Sequence, residues 1–560
     1  MGATGGKRLY ERLRSDERLY DLAHLPLFLW MFKETAGNAE GDLPADRGSL
    51  LRSFVRAPRL LGAIPATLRT QAERVLEAAG WAMQQAGALE MDEDDLYAQL
   101  EAVQGRRRFD PDELRERLQE TGLLIARGEG RYALLHQLVQ EYAAAHLIRQ
   151  RDCAQQLAAL ARHEWQRECV ILALWLQEAL HTPAHLLGLM NDPAIDLRVR
   201  VAAATILGRS GDLRFAPQSP LSTGWRGAGL RRELSRTGEA PAFILPPMVA
   251  IPGGTALLGG DDPDGYDDEK PACEVEIAPF ELAVYPVTNG EFACFINAGG
   301  YDDESLWTPL GQAWLRGEGK LDAESEAQYR NQYRAIANNV EGYIESVKRT
   351  QSVTEEEADG LRQIAAMSED EFVNSYAQQV LGEVRWEPFW WQDSRYNQPT
   401  LPVVGVNWYE AMAYAAWLSQ VTGQSYVLPS EAEWEWAARR RSPQERGRRY
   451  PWGDDWDAER CNSLAARLNA PNPVGVYPHG TTPDGLHELA GNVYEWTRSL
   501  YRPYPYDPAM CEDDAADGLR VYRGGSWYVG PERVRCAYRG RNNPGHWNSS
   551  AGFRLARTSL

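Results

Sequence analysis

The chain has 560 residues, 44% of them apolar and 25% charged, and a net charge of -20. That length implies roughly two to four domains, each with its own core, and the acidic balance argues against general nucleic-acid or anionic-membrane binding. Seven scattered cysteines without a CxxC pair fit neither a disulfide framework nor a zinc site and suit a reducing, cytoplasmic compartment.

No signal peptide and no apolar run of membrane-spanning length is read from the sequence. Residues 1–150 read as successive helices, with apolar residues at three- and four-residue spacing over 22–32, 68–86 and 134–148. Asp110-Pro111 marks a helix start, with acids in the following turn. Gly128-Glu129-Gly130 is a tight turn between two short apolar runs, so a small hairpin follows the helices in a winged-helix-like module. Residues 151–215 continue helical, and 196–212 resembles one HEAT-like repeat with small residues for close helix stacking. His181 and His185 are four apart, but Pro183 lies between them and no carboxylate follows. They are read as helix-end or core histidines. Residues 216–243, rich in Gly, Pro, Ser and Arg, form a linker.

Part of this N-terminal region resembles the helical arm of NACHT-type (STAND) signalling NTPases. The resemblance rests on 22–29, on 43–48 and on His136-Gln137 with Gln140-Glu141-Tyr142. It implies an arm that joins a sensor to an effector or to self-association. Residues 2–8 have the wrong spacing for a phosphate loop, and Arg8 stands where a magnesium-binding hydroxyl belongs. The chain is therefore expected to carry the arm without its nucleotide-binding core, as part of a longer protein.

From 244 to 560 the texture changes to dense Trp and Gly/Pro punctuation. A charged helical insertion at about 311–385 is read as a hairpin of two helical stretches, 323–350 and 354–384. Three capping boxes are predicted: Thr288 with Glu291, Asn407 with Glu410, and Ser430 with Glu433. Further on come Tyr450-Pro451-Trp452-Gly453, Gly491-Asn492-Val493-Tyr494-Glu495-Trp496, and Arg523-Gly524-Gly525-Ser526-Trp527. The ordered series resembles the formylglycine-generating-enzyme domain, a variant of the C-type lectin fold. The implied architecture is an α+β domain with a helical insertion, preceded by an all-α N-terminal region.

The family's enzymes oxidise a substrate cysteine with a cysteine pair and copper, placed just after the Gly-Gly-Ser-aromatic turn. Here 528–534 holds no thiol, and Cys536 matches a separate, non-catalytic position. Without thiolates there is neither nucleophile nor soft copper ligand, so no copper is expected. The related iron-dependent sulfoxide synthases need three histidines. His479, His487 and His546 lack ligand spacing. The expectation is a protein that is not an enzyme.

The segment 520–560 also resembles the variable region of proteins diversified by retroelements. The frame is Arg-Gly-Gly-Ser-Trp, then Arg535-Cys536-Ala537, then Gly552-Phe553-Arg554. Positions that are usually Asn in undiversified relatives here hold Tyr528, Val529, Gly530, Tyr538, Gly540, His546, Trp547, Ser549 and Ser550. These nine are the expected ligand-binding set, with the three large aromatics as anchors. The resemblance to the enzyme family also implies a structural calcium site formed by the side chains of Glu488 and Glu495 and the carbonyls of Gly491 and Val493. Eight arginines of the segment face one acid, Glu532, and several are expected to pair with carboxylates elsewhere in the domain.

The resulting expectation is a cytoplasmic ligand-recognition protein, the sensor part of a signalling or defence system, whose unknown partner is protein. Two alternatives stand beside it: an oxidoreductase of the same fold, and a structural scaffold.

Overall fold

The computed structural model describes residues 30–31, 47–104, 108–150, 158–163, 166–176, 182–218, 242–260, 265–350, 355–381, 385–393, 395–440 and 447–558. The chain divides into two compact units, Met1–Ser210 and Gly211–Leu560. The motifs at 2–8 and 22–29, His181, most of 43–48 and most of the linker lie outside the described residues.

In the first unit, helix α1 (Arg47–Val55) and α2 (Ala66–Ala86) are followed by β1 (Met91–Asp92), α3 (Glu93–Val103) and α4 (Pro111–Glu120). The Asp110 side chain accepts from the Asp112 N–H at the start of α4. Strands β2 (Leu124–Gly128) and β3 (Arg131–Leu134) form the hairpin around Gly128 and Gly130, both with positive φ. Two-residue β1 adds to β3, so the sheet order is β1-β3-β2. Helix α5 (Gln137–Gln150) packs on α2 at Gly80, where an added Cβ would lie 2.8 Å from the Gln140 carbonyl oxygen. Gln140 is buried and donates to the Ala88 carbonyl. The sequence motif at 136–142 is therefore a helix-packing seam.

Helices α6 (Arg167–Leu176), α7 (Pro183–Asn191) and α8 (Leu197–Ser210) complete the unit. Their buried residues Val170, Leu186 and Leu207 belong to the same core as Leu76 and Leu118. The segments read as separate, 1–150 and 151–215, thus share one core up to Ser210. Apolar faces as short as these cannot be covered without their neighbours.

The second unit is α+β. Strands β4 (Met248–Ile251), β5 (Gly254–Leu258), β6 (Cys273–Ile277) and β7 (Phe280–Ala283) precede helix α9 (Asn289–Asn297). After α10 (Pro309–Leu315) the insertion forms four helices: α11 (Ala323–Asn338), α12 (Val340–Thr350), α13 (Glu355–Ala366) and α14 (Glu369–Leu381). The expected two-helix hairpin is corrected here. Asn339, at φ -161° and ψ 81°, breaks the first stretch, and Ser368 with Glu371 restarts the second. The insertion has a small core of its own at Tyr329, Phe372 and Val373.

The frame continues with α15 (Trp408–Thr422), β8 (Tyr426–Val427), α16 (Glu431–Arg439), β9 (Tyr494–Leu500), short α17 (Pro508–Cys511), β10 (Arg520–Arg523), β11 (Gly540–Asn542), β12 (Ala551–Phe553) and β13 (Ala556–Thr558). One sheet runs β11-β10-β9-β12, a second β4-β7-β13-β8, and β5-β6 pair alone. All three predicted capping boxes form, at the starts of α9, α15 and α16. Each satisfies two backbone N–H groups that a helix start otherwise leaves open. Trp408, Trp434 and Trp496 are fully buried between helices and sheets. Their indole N–H groups donate to the Thr497 carbonyl, the Glu495 carboxylate and the Val406 carbonyl. No helix among the described residues is long and apolar enough to cross a membrane.

Candidate functional site

The C-terminal segment leaves β10 through Gly524 and Gly525, at φ 90° and 71°. A side chain at either would be strained, and a Cβ on Gly525 would meet the Arg533 carbonyl oxygen at 2.6 Å. This turn delivers Trp527, whose N–H donates to the Asn492 carbonyl and whose indole donates to the Ser549 carbonyl. One residue, through its backbone and its indole, thus ties together three stretches of the face.

The frame beneath is a set of buried ion pairs. Glu431 accepts from Arg523 at 3.0 Å and from Arg539 at 2.6 Å, and Glu435 takes the other arm of Arg523 at 2.5 Å. Arg535 grips Glu269 with both Nη atoms at 2.8 and 2.6 Å. Arg520 donates to the carbonyls of Arg498, Asp513 and Ala516, with its guanidinium 4.1 Å from the Trp408 ring centre. Buried charges of this kind persist only when paired.

Above this frame the nine expected contact residues separate into two groups. Tyr528, Tyr538, His546, Trp547 and Ser549 are half-buried, with surface left to offer. Val529, Gly530, Gly540 and Ser550 are buried, which corrects their assignment as contacts. Val529 belongs to an apolar cluster with Tyr450 and Val534. A Cβ on Gly540 would sit 2.1 Å from the Tyr522 ring, so the position is closed to larger residues. Ser550 turns its hydroxyl inward to Asn548 Oδ1 at 2.9 Å. Gly530 is filled from outside by the Glu532 carboxylate, 2.6 Å from where its Cβ would be.

Two aromatic patches result. In the first, the Tyr494 ring lies 6.5 Å from Tyr528 and 6.4 Å from Tyr538, while Tyr266 meets Tyr538 edge-on at 5.5 Å. Burial among these rings raises the Tyr538 hydroxyl to about 12. In the second, Trp547 stacks on Phe389 with ring centres 3.6 Å apart, and the Arg385 guanidinium lies 5.4 Å from Trp547. Phe389 is 50% exposed and Trp386 beside it 58%. The aromatic run Trp386-Glu387-Pro388-Phe389-Trp390-Trp391 at the end of the insertion, outside the expected contact set, is the sequence signal for this second patch. His546 sits by Asn548, and burial lowers its imidazole to about 4, so it is neutral at physiological pH.

Of the expected calcium ligands, Glu495 is already paired. Arg554 takes both oxygens of Glu495, at 2.6 and 2.7 Å, and Trp434 also donates to one of them. The carboxylate a cation would need already has its counter-charge. Glu488 accepts from the Gly475 N–H, and burial raises its carboxyl to about 7. Gly491 and Val493 would offer carbonyl oxygens, which calcium accepts, and Glu488 Oε2 is buried without a partner, but Glu495, paired with Arg554, is not free to join them. Among the described residues no three His, Cys, Asp or Glu side chains form a metal-holding group.

Every described cysteine is also quiet. Burial raises the thiols of Cys273, Cys294, Cys461, Cys511 and Cys536, the last to about 12, and that of Cys169 as well. Cys536 points its Sγ at the Ala438 carbonyl in the core. A reactive thiol needs the opposite environment.

Residues 234–559 match the family model of the sulfatase-modifying factor enzyme 1-like domain. The chain belongs to this family. Its second unit is accordingly a formylglycine-generating-enzyme-type, C-type-lectin-like α+β domain, and the helical first unit lies outside the match. Among curated proteins, the hercynine oxygenase of Mycolicibacterium smegmatis is 31% identical over 59% of this chain and 64% of its own length. The inactive C-alpha-formylglycine-generating enzyme 2 of Mus musculus is 28% identical over 56% of this chain and 85% of its own. The chain thus spans less than two thirds of the hercynine oxygenases it matches. Among solved structures, Treponema denticola variable protein 1 aligns over 56% of this chain and 95% of its own, at 17% identity and a TM-score of 0.33.

Proposed function

We propose that this chain is a cytoplasmic ligand-recognition protein, not an enzyme, that displays a diversified surface on its C-type-lectin-like domain. The observation that carries this reading is the contrast within 523–554. Buried arginine–carboxylate pairs fix the frame, while Tyr528, Tyr538 and Trp547 stand half-exposed above it. Rigid aromatics on a preorganised support give contact area at low entropic cost. The Arg-Gly-Gly-Ser-Trp frame supports diversification by a retroelement, with Tyr528, Tyr538, His546, Trp547 and Ser549 as the outward positions. The ligand is protein, bound at roughly micromolar to nanomolar affinity. The N-terminal helical unit serves as a STAND-type arm for self-association or effector contact. Nucleic acid and membrane are not partners.

The test is a random peptide library selected on the full chain, with a Tyr528→Ala, Tyr538→Ala, Trp547→Ala variant for counter-selection. Peptides that bind wild type and lose binding to the triple variant, with its melting curve unchanged, are expected. Equal binding to both proteins sinks the reading.

A second reading has one specific support, the similarity to proteins named hercynine oxygenase. Under it the domain is an iron-dependent oxidoreductase. Metal analysis of the purified chain with an oxygen-consumption assay decides between the two. Stoichiometric iron with turnover favours the oxidoreductase.

A further inference from the structure

Of the eight arginines in the last forty-one residues, seven are held by intramolecular carboxylates or carbonyls. Arg523, Arg535, Arg539, Arg541, Arg554 and Arg557 each pair with a carboxylate, and Arg520 donates to three carbonyls. Arg533 is the exception. Among the described residues no carboxylate lies within ion-pair distance of it, and its buried Nε has no acceptor. Its surroundings are tyrosines. Its electrostatic neighbours are Tyr266, Tyr494, Tyr522, Tyr538 and, from the insertion, Tyr343 of α12.

The lack of a counter-charge among the described residues is not a shortage of acids in a chain of net charge -20. Glu532, the adjacent residue, folds back against Gly530, where an added Cβ would meet both carboxylate oxygens at 2.6 and 2.9 Å. Its Oε1 is buried without a partner rather than turned to Arg533. A half-buried guanidinium held among hydroxyl-tipped rings is partly desolvated, has donors to spare and is bordered by apolar contact area. Those features favour a planar or tetrahedral oxyanion attached to an apolar group, since charge-assisted bonds to guanidinium are the strong ones.

We propose that Arg533, bordered by the Tyr266–Tyr538 pair, is an anion-reading subsite that takes a carboxylate or phosphate group of a peptide ligand beside an apolar or aromatic residue. This deepens the ligand-recognition reading and rests on it for the word ligand. The aromatic pair Trp547–Phe389 forms a separate apolar patch on the same domain.

The full-length chain is titrated with benzoate, phenyl phosphate and uncharged benzyl alcohol, followed by saturation-transfer NMR and intrinsic fluorescence. Saturable binding of at least one anion, roughly tenfold tighter than the alcohol, is expected. The tighter of the two anions assigns carboxylate or phosphate. Arg533→Met is expected to lose that preference at unchanged melting temperature, and Arg533→Lys to keep part of it. If Arg533→Met fails to fold, the Lys variant and the anion-over-alcohol ratio of wild type carry the test. Binding of neither anion by wild type, or equal anion binding by the Met variant, overturns the proposal. Library peptides sort the two readings. Peptides that need Tyr528 and Trp547 but share no acidic or phosphorylated residue sink the anion subsite and leave recognition standing. Anion binding without any enriched peptide does the reverse.

Discussion

Trp547 and Phe389 lie ring on ring, 3.6 Å between centres and 18° from parallel. One belongs to the C-terminal frame, the other to the segment that closes the helical insertion. Stacked aromatic pairs are worth about 0.5–1.5 kcal/mol beyond their burial. A double-mutant cycle of Phe389→Ala and Trp547→Ala, read by urea unfolding, is expected to return a coupling energy of that size. Additive losses would mean that the two rings do not stack in solution.

Arg554 and Glu495 are both fully buried and satisfy one another. Removing one partner leaves a charge without compensation, so Glu495→Gln or Arg554→Met is expected to cost about 3–5 kcal/mol. The same pairing predicts indifference to calcium. Melting temperatures in excess calcium and in chelator should agree, and a rise of several degrees with calcium would restore Glu495 as a ligand.

Glu291 closes a capping box inside the core, accepting from the Thr288 N–H and hydroxyl at 2.7 Å each. Burial raises its carboxyl from 4.5 to about 7. The folded state therefore holds the proton more tightly than the unfolded chain. Its contribution is complete below the unfolded value and is lost as pH rises through about 7. At 1.36 kcal/mol per unit the loss is on the order of 3 kcal/mol. Glu488 is raised in the same way and adds to the slope. Unfolding free energy of wild type should fall between pH 5 and 8, and Glu291→Gln should flatten that fall by about one proton. An identical slope in the variant would refute the assignment.

Gly540 and Gly530 were both expected on the display surface, and they make different predictions. The Gly540 Cβ would strike the Tyr522 ring at 2.1 Å, so Gly540→Ala is expected to destabilise by about 1–3 kcal/mol. Gly530→Ala meets only the flexible end of Glu532 and should cost less. Thermal melts of the two variants give the order directly.

Local signals were the most legible part of the sequence. The three capping boxes, the Asp110 cap and the Gly128–Gly130 turn depend on residues a few positions apart, and all form. The family frame was legible for the same reason, since its motifs are short and ordered. What failed was depth. Val529 and Ser550 share a loop texture with Tyr528 and Ser549, and only the fold decides which side faces the core. The insertion was misjudged because Asn339 is a weak breaker on paper. Phe389 was missed because its partner lies 158 positions away. Most of the carboxylates that neutralise the frame arginines come from β7, α16 and the 267–269 turn, which no spacing rule connects to 520–560.

The sharing of Glu431 between Arg523 and Arg539 has a dynamic consequence. Those two guanidiniums belong to β10 and to the stretch leading into β11, while the carboxylate belongs to α16. Withdrawing α16 would leave the two guanidiniums facing each other in the core. Local opening of the face is therefore coupled to loss of α16. The face's backbone amides should exchange with solvent only through openings that include α16, however its outward side chains are rewritten.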